Sequence, residues 1–272
     1  MKRKLIFSVL VLVVMITACK KDSPDPIFGC TGSTAINFDP LATIDDSSCV
    51  YSVNTNLTIN FIHTIDGSYL ITNSMLYTNN ADENYDIQTL KYLISDITLH
   101  AENGSSLLLD EVHFIDISDP STFSFTYNDL PNNNYTSISF DMGLDSSNNI
   151  SNRYVNEEFH ATMFWPEPNG GGYHYMKLEG AYNNESTFYN THTGGTMGGD
   201  YSFNNTNSIS LNIDDTFENA SININMEINN WYQTPNQIEF SSYGMGIMMN
   251  MMMQNNLKMN GSTDVFSITL DK

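Results

Sequence analysis

The segment ININMEI, residues 222–228, decides the fold class, because apolar and polar residues alternate along its whole length. A period of two residues places Ile222, Ile224, Met226 and Ile228 on one face and the polar residues on the other. This alternation predicts a β-strand that buries one face against a core and exposes the other to water.

The same alternation recurs through most of the chain between clusters of Asn, Asp, Gly and Pro, which are typical of turns. The segments that show it are 57–65, 91–100, 107–117, 135–143, 173–181, 209–213, 220–229 and 264–271. Many short strands separated by turns predict an all-β fold, an antiparallel β-sandwich, and residues 55–272 are a suitable length for one such domain.

One segment departs from this pattern: SSYGMGIMMNMMMQNNL, residues 241–257, in which Ile247 is the only β-branched residue. Its composition favours a short Met-rich helix near the C-terminus. On a helix, five methionines would form one stripe: Met245, Met248, Met249, Met252 and Met253. Such a stripe usually fills a core. The alternative is a set of thioether ligands for Cu(I), which is a soft ion.

The first eighteen residues read as a bacterial lipoprotein signal peptide. Three basic residues are followed by thirteen mostly apolar residues, 5–17, and a small residue precedes Cys19. That apolar run is too short to cross a bilayer. We therefore expect cleavage before Cys19 and lipidation of Cys19, which makes the mature protein an outer membrane lipoprotein held by its lipid anchor.

Residues 19–29 form a short tether, and the Asp and Lys that follow Cys19 resemble the export signals of surface lipoproteins in Bacteroidetes. The tether therefore favours a location on the cell surface. The alternative is an outer membrane lipoprotein that faces the periplasm.

Cys30 and Cys49 are the two remaining cysteines, and in an exported chain they are expected to form a disulfide. The bond would close a small loop, residues 30–50, and would stabilise it by roughly 3 kcal/mol. Three acidic residues of this loop are candidate calcium ligands: Asp39, Asp45 and Asp46. The alternative is that these carboxylates are simply solvated.

The charge of the chain excludes one class of partner. Removal of residues 1–18 would change the formal net charge from −21 to −24, and nucleic acid is a poor partner for a protein so acidic. The sequence also lacks a nucleophile elbow, a phosphate-binding loop and a dinucleotide fingerprint. We therefore predict a binding protein and not an enzyme.

The segment MFWPEPNGGGYHYMKLEG, residues 163–180, combines a Trp-Pro turn, a glycine-rich break and an alternating run. The alternation predicts His174, Met176 and Leu178 on one face, opposite Tyr173, Tyr175 and Lys177. Together with other pieces in the same order, the segment resembles the MbnP family of copper-binding proteins. Those pieces are NFIHTIDGSYL (60–70), residues 77–100, EVHFID (111–116), SISFDMGLD (138–145), THTGG (191–195) and NGSTDVFSITL (260–270).

The resemblance implies a β-sandwich that binds copper through histidines and works with a redox or copper-handling partner protein. It also implies a tryptophan oxidised to kynurenine at the metal site. Trp165 and Trp231 are the two tryptophans of this chain, and neither matches the family motif for that role.

Four of the six histidines lie in the pieces that carry the resemblance, and imidazole is a suitable copper ligand. We predict a copper site, preferentially for Cu(I), formed by His63, His174 and His192, with His113 in reserve. His100 and His160 are assigned surface or structural roles. The alternative function is a cell-surface adhesion or ligand-binding sandwich, in which the histidines are core residues with satisfied hydrogen bonds.

Overall fold

The computed structural model of the protein describes residues 25–51, 55–184, 187–214, 219–243 and 246–271. The signal peptide and Cys19 therefore lie outside the described residues, as does Met245. The chain divides into two compact units, residues 1–52 and 53–272. Within the described ranges, none of the helices has the length and apolarity needed to cross a bilayer.

The first unit is a small loop closed by a disulfide between Cys30 and Cys49, as predicted, with an S–S distance of 2.08 Å. Two short strands, β1 (Phe28–Gly29) and β2 (Ile44–Asp45), pair in parallel.

The three acidic residues proposed as calcium ligands instead accept hydrogen bonds from their own loop. Asp39 accepts one from the Leu41 backbone N–H, Asp45 accepts one from that of Ser47, and Asp46 accepts one from that of Ser48. In the part of the chain that the structure describes, no group of three or more His, Cys, Asp or Glu side chains is placed to hold a metal ion. The structure therefore does not support calcium in this loop, because these carboxylates serve to order its turns.

Within its described residues, the second unit contains thirteen strands and three short α-helices. The strands are β3 (Asn56–Ile65), β4 (Ser68–Tyr69), β5 (Tyr77–Thr78), β6 (Asn84–Tyr85), β7 (Thr89–Ala101), β8 (Ser106–Asp116), β9 (Ser124–Tyr127), β10 (Asn133–Met142), β11 (His174–Tyr182), β12 (Thr187–Gly194), β13 (Phe203–Ile213), β14 (Asn219–Glu227) and β15 (Phe266–Asp271). The helices are α1 (His160–Met163), α2 (Phe240–Tyr243) and α3 (Met251–Asn260). Short 3₁₀ turns lie at 120–123, 167–169, 196–198, 228–232 and 247–249, and a π turn lies at 261–265.

The strands form two sheets. The larger sheet has the order β13-β10-β7-β11-β6-β5, with β12 added beside β11 and β8 beside β7. The smaller sheet has the order β15-β14-β3-β4, with β9 beside β3. The predicted antiparallel sandwich is confirmed, and one pair departs from it: β3 and β14 are parallel.

The main core lies between the two sheets and contains the alternating residues that predicted the fold. Ile222, Ile224 and Met226 of β14 are buried there with Tyr92 of β7 and Met176 of β11. A second cluster covers the other side of the larger sheet, which we call its outer face. Residues 144–173, the covering segment, contribute to this cluster: Leu144, Phe159, Met163 and Tyr173 pack with Leu93 and Tyr175.

The Met-rich segment is helical but does not form one helix. The helical conformation is interrupted at Asn250. The Asn250 side chain accepts a hydrogen bond from the Met253 backbone N–H and so caps the N-terminus of α3. The predicted methionine stripe is therefore interrupted. Met253 is buried, whereas Met249 and Met252 are exposed, so the core-filling interpretation is right for Met253 and wrong for those two.

Candidate metal centre

Two of the predicted ligands, His174 and His192, lie side by side on neighbouring strands. β11 pairs with β12, and the two imidazole ring centres are 5.0 Å apart with an angle of 84° between the ring planes. A register shift lies between His174 and Met176, since His174 pairs with Gly194 and Met176 with Thr193. This irregularity turns His174 toward His192, which corrects the predicted face shared with Met176 and Leu178.

The pair lies on the outer face of the larger sheet. His192 is in register with Lys177, and Lys177 is in register with Lys91 of β7. Residues in register on neighbouring strands share a face of the sheet. Trp165, which follows the covering segment's helix α1, has its ring centre 4.7 Å from that of His174 and is fully buried.

His174 is held as a neutral imidazole with one free nitrogen. Nδ1 lies 3.2 Å from the carbonyl oxygen of Met163 and donates its proton there. Nε2 is buried and has no hydrogen-bond partner among the described residues. Burial, together with the nearby His192, lowers the pKa of His174 to about 3. A buried polar atom without a partner is costly, so an unpaired nitrogen here is consistent with a ligand that the nitrogen binds.

His192 has the complementary arrangement. Its Nε2 donates to Oε1 of Glu179 at 2.6 Å, which leaves the lone pair on Nδ1. This hydrogen bond is the main reason why the pKa of the Glu179 carboxyl is lowered. Histidines that bind metals usually donate the other ring N–H to a carbonyl or a carboxylate. His174 and His192 show one example of each.

The spacing also suits a shared ion. With metal–nitrogen distances of about 2.0–2.1 Å, two imidazoles on one ion have ring centres roughly 6 Å apart or less. A cleft of about 290 Å³ opens beside the pair and is lined by Lys91, Thr162, Lys177 and Glu179. Lys177 donates to the carbonyl oxygen of Thr162 at 2.6 Å, and burial lowers the pKa of its amine. Glu179, which lines the cleft, is hydrogen-bonded to His192 and so connects the cleft to the histidine pair.

His63, the third predicted ligand, is on the other side of the larger sheet. Its Nε2 lies 2.9 Å from the Tyr92 hydroxyl, and Tyr92 is in register with Met176. The next residue, Lys177, is in register with His192. Successive residues of a strand point to opposite faces, so His63 and His192 do not meet. The predicted three-histidine site is reduced to a pair.

His63 instead borders an apolar cleft between the sheets. The cleft has a volume of about 390 Å³, and Phe61, Leu70 and Phe123 also line it. Burial lowers the pKa of His63 to about 4.

The remaining histidines have structural hydrogen bonds. His113 stacks on Phe61 and uses both nitrogens, one toward Asp110 and one toward the Thr122 carbonyl. His100 contacts the hydroxyls of Ser106 and Ser139 through its two nitrogens. His160 contacts the Tyr173 hydroxyl. The reserve ligand His113 is therefore not placed to complete the pair.

Of the two tryptophans, Trp165 is the one whose ring contacts a histidine among the described residues. Trp231 packs against Phe203 and Phe266 in the main core. The sequence does contain a signal for the strand that carries His192: TFYNTHTG, residues 187–194, is rich in β-branched and aromatic residues and follows a turn. Recognised as β12, it would have placed His192 beside β11.

The fold places the protein among two-sheet β-sandwich proteins. A search of solved structures finds MbnP from Methylosinus trichosporium, with a TM-score of 0.51 and 10% sequence identity, covering 80% of this chain and 99% of that one. A comparison with curated proteins gives no match. The sequence model described as MbnP matches residues 54–252. The chain therefore belongs to the MbnP family, as the resemblance implied.

Proposed function

We propose that this protein is an envelope lipoprotein that binds copper, preferentially Cu(I), through His174 and His192, for capture or handover. The observation that carries the proposal is the unpaired, buried Nε2 of His174 beside the His192 ring. The association of the MbnP family with copper supports the choice of metal.

The chemistry of the site favours binding over catalysis. A bound copper ion would supply soft Lewis acidity, and the chain would supply two neutral imidazoles fixed by hydrogen bonds to Met163 and Glu179. Glu179 would orient His192, and burial would keep His174 in the deprotonated form that binds metal. Trp165 would be the tryptophan modified at such a site, because its ring centre lies 4.7 Å from that of His174. The protein would act with a redox or copper-handling partner and would turn over no substrate.

The test is a competitive Cu(I) titration of the detergent-purified mature protein against a chromogenic Cu(I) chelator. His174→Ala and His192→Ala should each weaken copper binding by at least about tenfold, and Glu179→Gln by roughly tenfold. His100→Ala is the matched control and should bind like the parent. His63→Ala should also bind like the parent, because that residue lies on the other side of the sheet.

Copper loading alone would prove little, because Cu²⁺ competes strongly for imidazole. The decisive result is therefore whether His174→Ala and His192→Ala weaken copper binding while the control variants do not. If the parent binds no copper, or if His174→Ala and His192→Ala both bind as tightly as the parent, the proposal is wrong. A ligand-binding sandwich that uses the cleft beside His63 would then be the better interpretation.

A further inference from the structure

Several methionine side chains near α3 are exposed at the surface and do not pack into the core. The core contacts of this region come from Ile247, Met253 and Leu257, which are buried. Three methionines between them have exposed fractions of 61%, 56% and 68%: Met249, Met251 and Met252. Met248 is half-buried. Four methionines thus lie within five residues at the surface.

A fifth methionine lies in a loop that is hydrogen-bonded to this segment. Met197 is 57% exposed and lies in the 3₁₀ turn at 196–198. The preceding residue, Thr196, is buried and donates from Oγ1 to the Met248 carbonyl oxygen at 2.8 Å. On the far side of this loop, Lys258 of α3 donates to the Asp200 carbonyl oxygen. These bonds hold the Met197 loop against the segment that carries the other four methionines.

The backbone conformation at Met197 is unusual for a methionine. Its φ is +54°, in the left-handed region that side chains other than Asn and Asp rarely adopt. The other described non-glycine residues with positive φ are all Asp, Asn or Ser: Ser47, Asp66, Asn73, Asp82, Asp96, Asp129, Asn152, Asn183 and Asn184. An exposed methionine at a strained position is unfavourable for folding alone, which points to a function for its side chain.

We propose that Met197, Met248, Met249, Met251 and Met252, the methionine patch, form a second metal site that takes a soft monovalent cation, Cu(I) or Ag(I). Thioether sulfur selects soft ions, and methionine has the flexibility to gather several sulfurs around one ion. Thioether ligands are uncharged at every pH, so they need not lose a proton before they bind the ion. The strongly acidic chain favours the approach of a cation.

The site is separate from the histidine pair and does not depend on it. It is nevertheless next to the strand that carries His192. Gln254 of α3 is buried, donates to the His192 carbonyl oxygen at 2.7 Å, and accepts from the Gly194 backbone N–H at 3.2 Å. Two members of the methionine patch, Met251 and Met252, thus lie on the helix that is bonded to β12.

The experiment is a titration of the detergent-purified mature protein with Ag(I), a redox-inert soft cation, in a His174→Ala background that disables the histidine pair. The triple variant Met249→Leu, Met251→Leu and Met252→Leu removes three sulfurs and keeps apolar side chains that favour helix. It should lose one bound Ag(I), or bind it at least about tenfold more weakly. Met75→Leu, a half-buried methionine in another part of the fold, is the control and should bind like the background.

Met197→Asn separates function from structure. Asn tolerates the left-handed conformation, so the variant should unfold at a higher temperature, while its binding of Ag(I) weakens. X-ray absorption of the Ag(I)-loaded protein should show sulfur neighbours. The proposal is overturned if the triple variant binds Ag(I) as the background does, or if the absorption spectrum shows nitrogen and oxygen neighbours alone. Binding through the histidine pair is absent from this background, so either result leaves the proposed copper function to its own test.

Discussion

Acid should destabilise this protein in a way that can be traced to His63. The residue is buried and its pKa is lowered to about 4, against about 6.5 in an unfolded chain. Between these values the unfolded chain takes up a proton that the folded protein does not. Above about pH 6.5, His63 therefore does not reduce the free energy of unfolding. As the pH falls from about 6.5 to about 4, protonation of His63 in the unfolded chain lowers that free energy progressively.

The magnitude follows from the two pKa values. Between pH 7 and pH 4.5, protonation of the unfolded form should cost the folded protein about 2 kcal/mol through His63 alone. His63→Gln removes the titration and keeps an amide that can bond to the Tyr92 hydroxyl, which His63 contacts at 2.9 Å. The variant should therefore lose about 2 kcal/mol less than the parent over this range.

The assay is urea-induced unfolding of both proteins at pH 7 and pH 4.5, extrapolated to zero denaturant. Carboxylates and His174 titrate in both proteins, so their contributions cancel in the comparison. Tyr92→Phe is the control, because it removes the hydroxyl but keeps the titrating histidine, and it should retain the acid sensitivity of the parent. Equal losses of stability in the parent and in His63→Gln would refute the reasoning.

Three further predictions concern the candidate metal centre, the Cys30–Cys49 disulfide and the lipid anchor. Gly194→Ala would place a Cβ 2.6 Å from Cε3 of the Trp165 ring, so thermal unfolding should show a loss of roughly 1–3 kcal/mol. Gly246→Ala should be close to neutral, because among the described residues the new Cβ would meet the Tyr243 carbonyl oxygen alone, at 3.4 Å. Thiol labelling of the unfolded, unreduced mature protein should find no free thiol, because Cys30 and Cys49 are bonded; labelled cysteine would contradict this. Labelling of cells with radioactive palmitate should mark the protein and should fail with Cys19→Ala, whereas an unlabelled parent would argue against the anchor.

The fold was predictable from the sequence because the decisive signal is local. Alternation such as that of residues 222–228 reflects one buried face, and each strand carries it independently of its neighbours. The order of the strands is not local in this way. The parallel pairing of β3 with β14 joins residues more than 160 positions apart, and no turn sequence specifies it.

The candidate site was only half predictable for the same reason. The sequence predicted His174 and His192 as ligands, and the structure brings their rings together. Whether His63 joins them depends on which face of which sheet each residue occupies. The register shift at His174 also reverses the face expected from simple alternation. The prediction of a continuous methionine stripe was wrong because of one residue. Asn250 caps a new helix, whereas the stripe requires uninterrupted helical spacing.

The central claim, that His174 and His192 hold one copper ion together, is tested most directly by anomalous diffraction at the copper edge from crystals of the Cu(I)-loaded protein. The account predicts one copper peak within about 2 Å of His174 Nε2 and of a ring nitrogen of His192, on the outer face of the larger sheet. A copper peak at His63 or His113, with none at the pair, would contradict it.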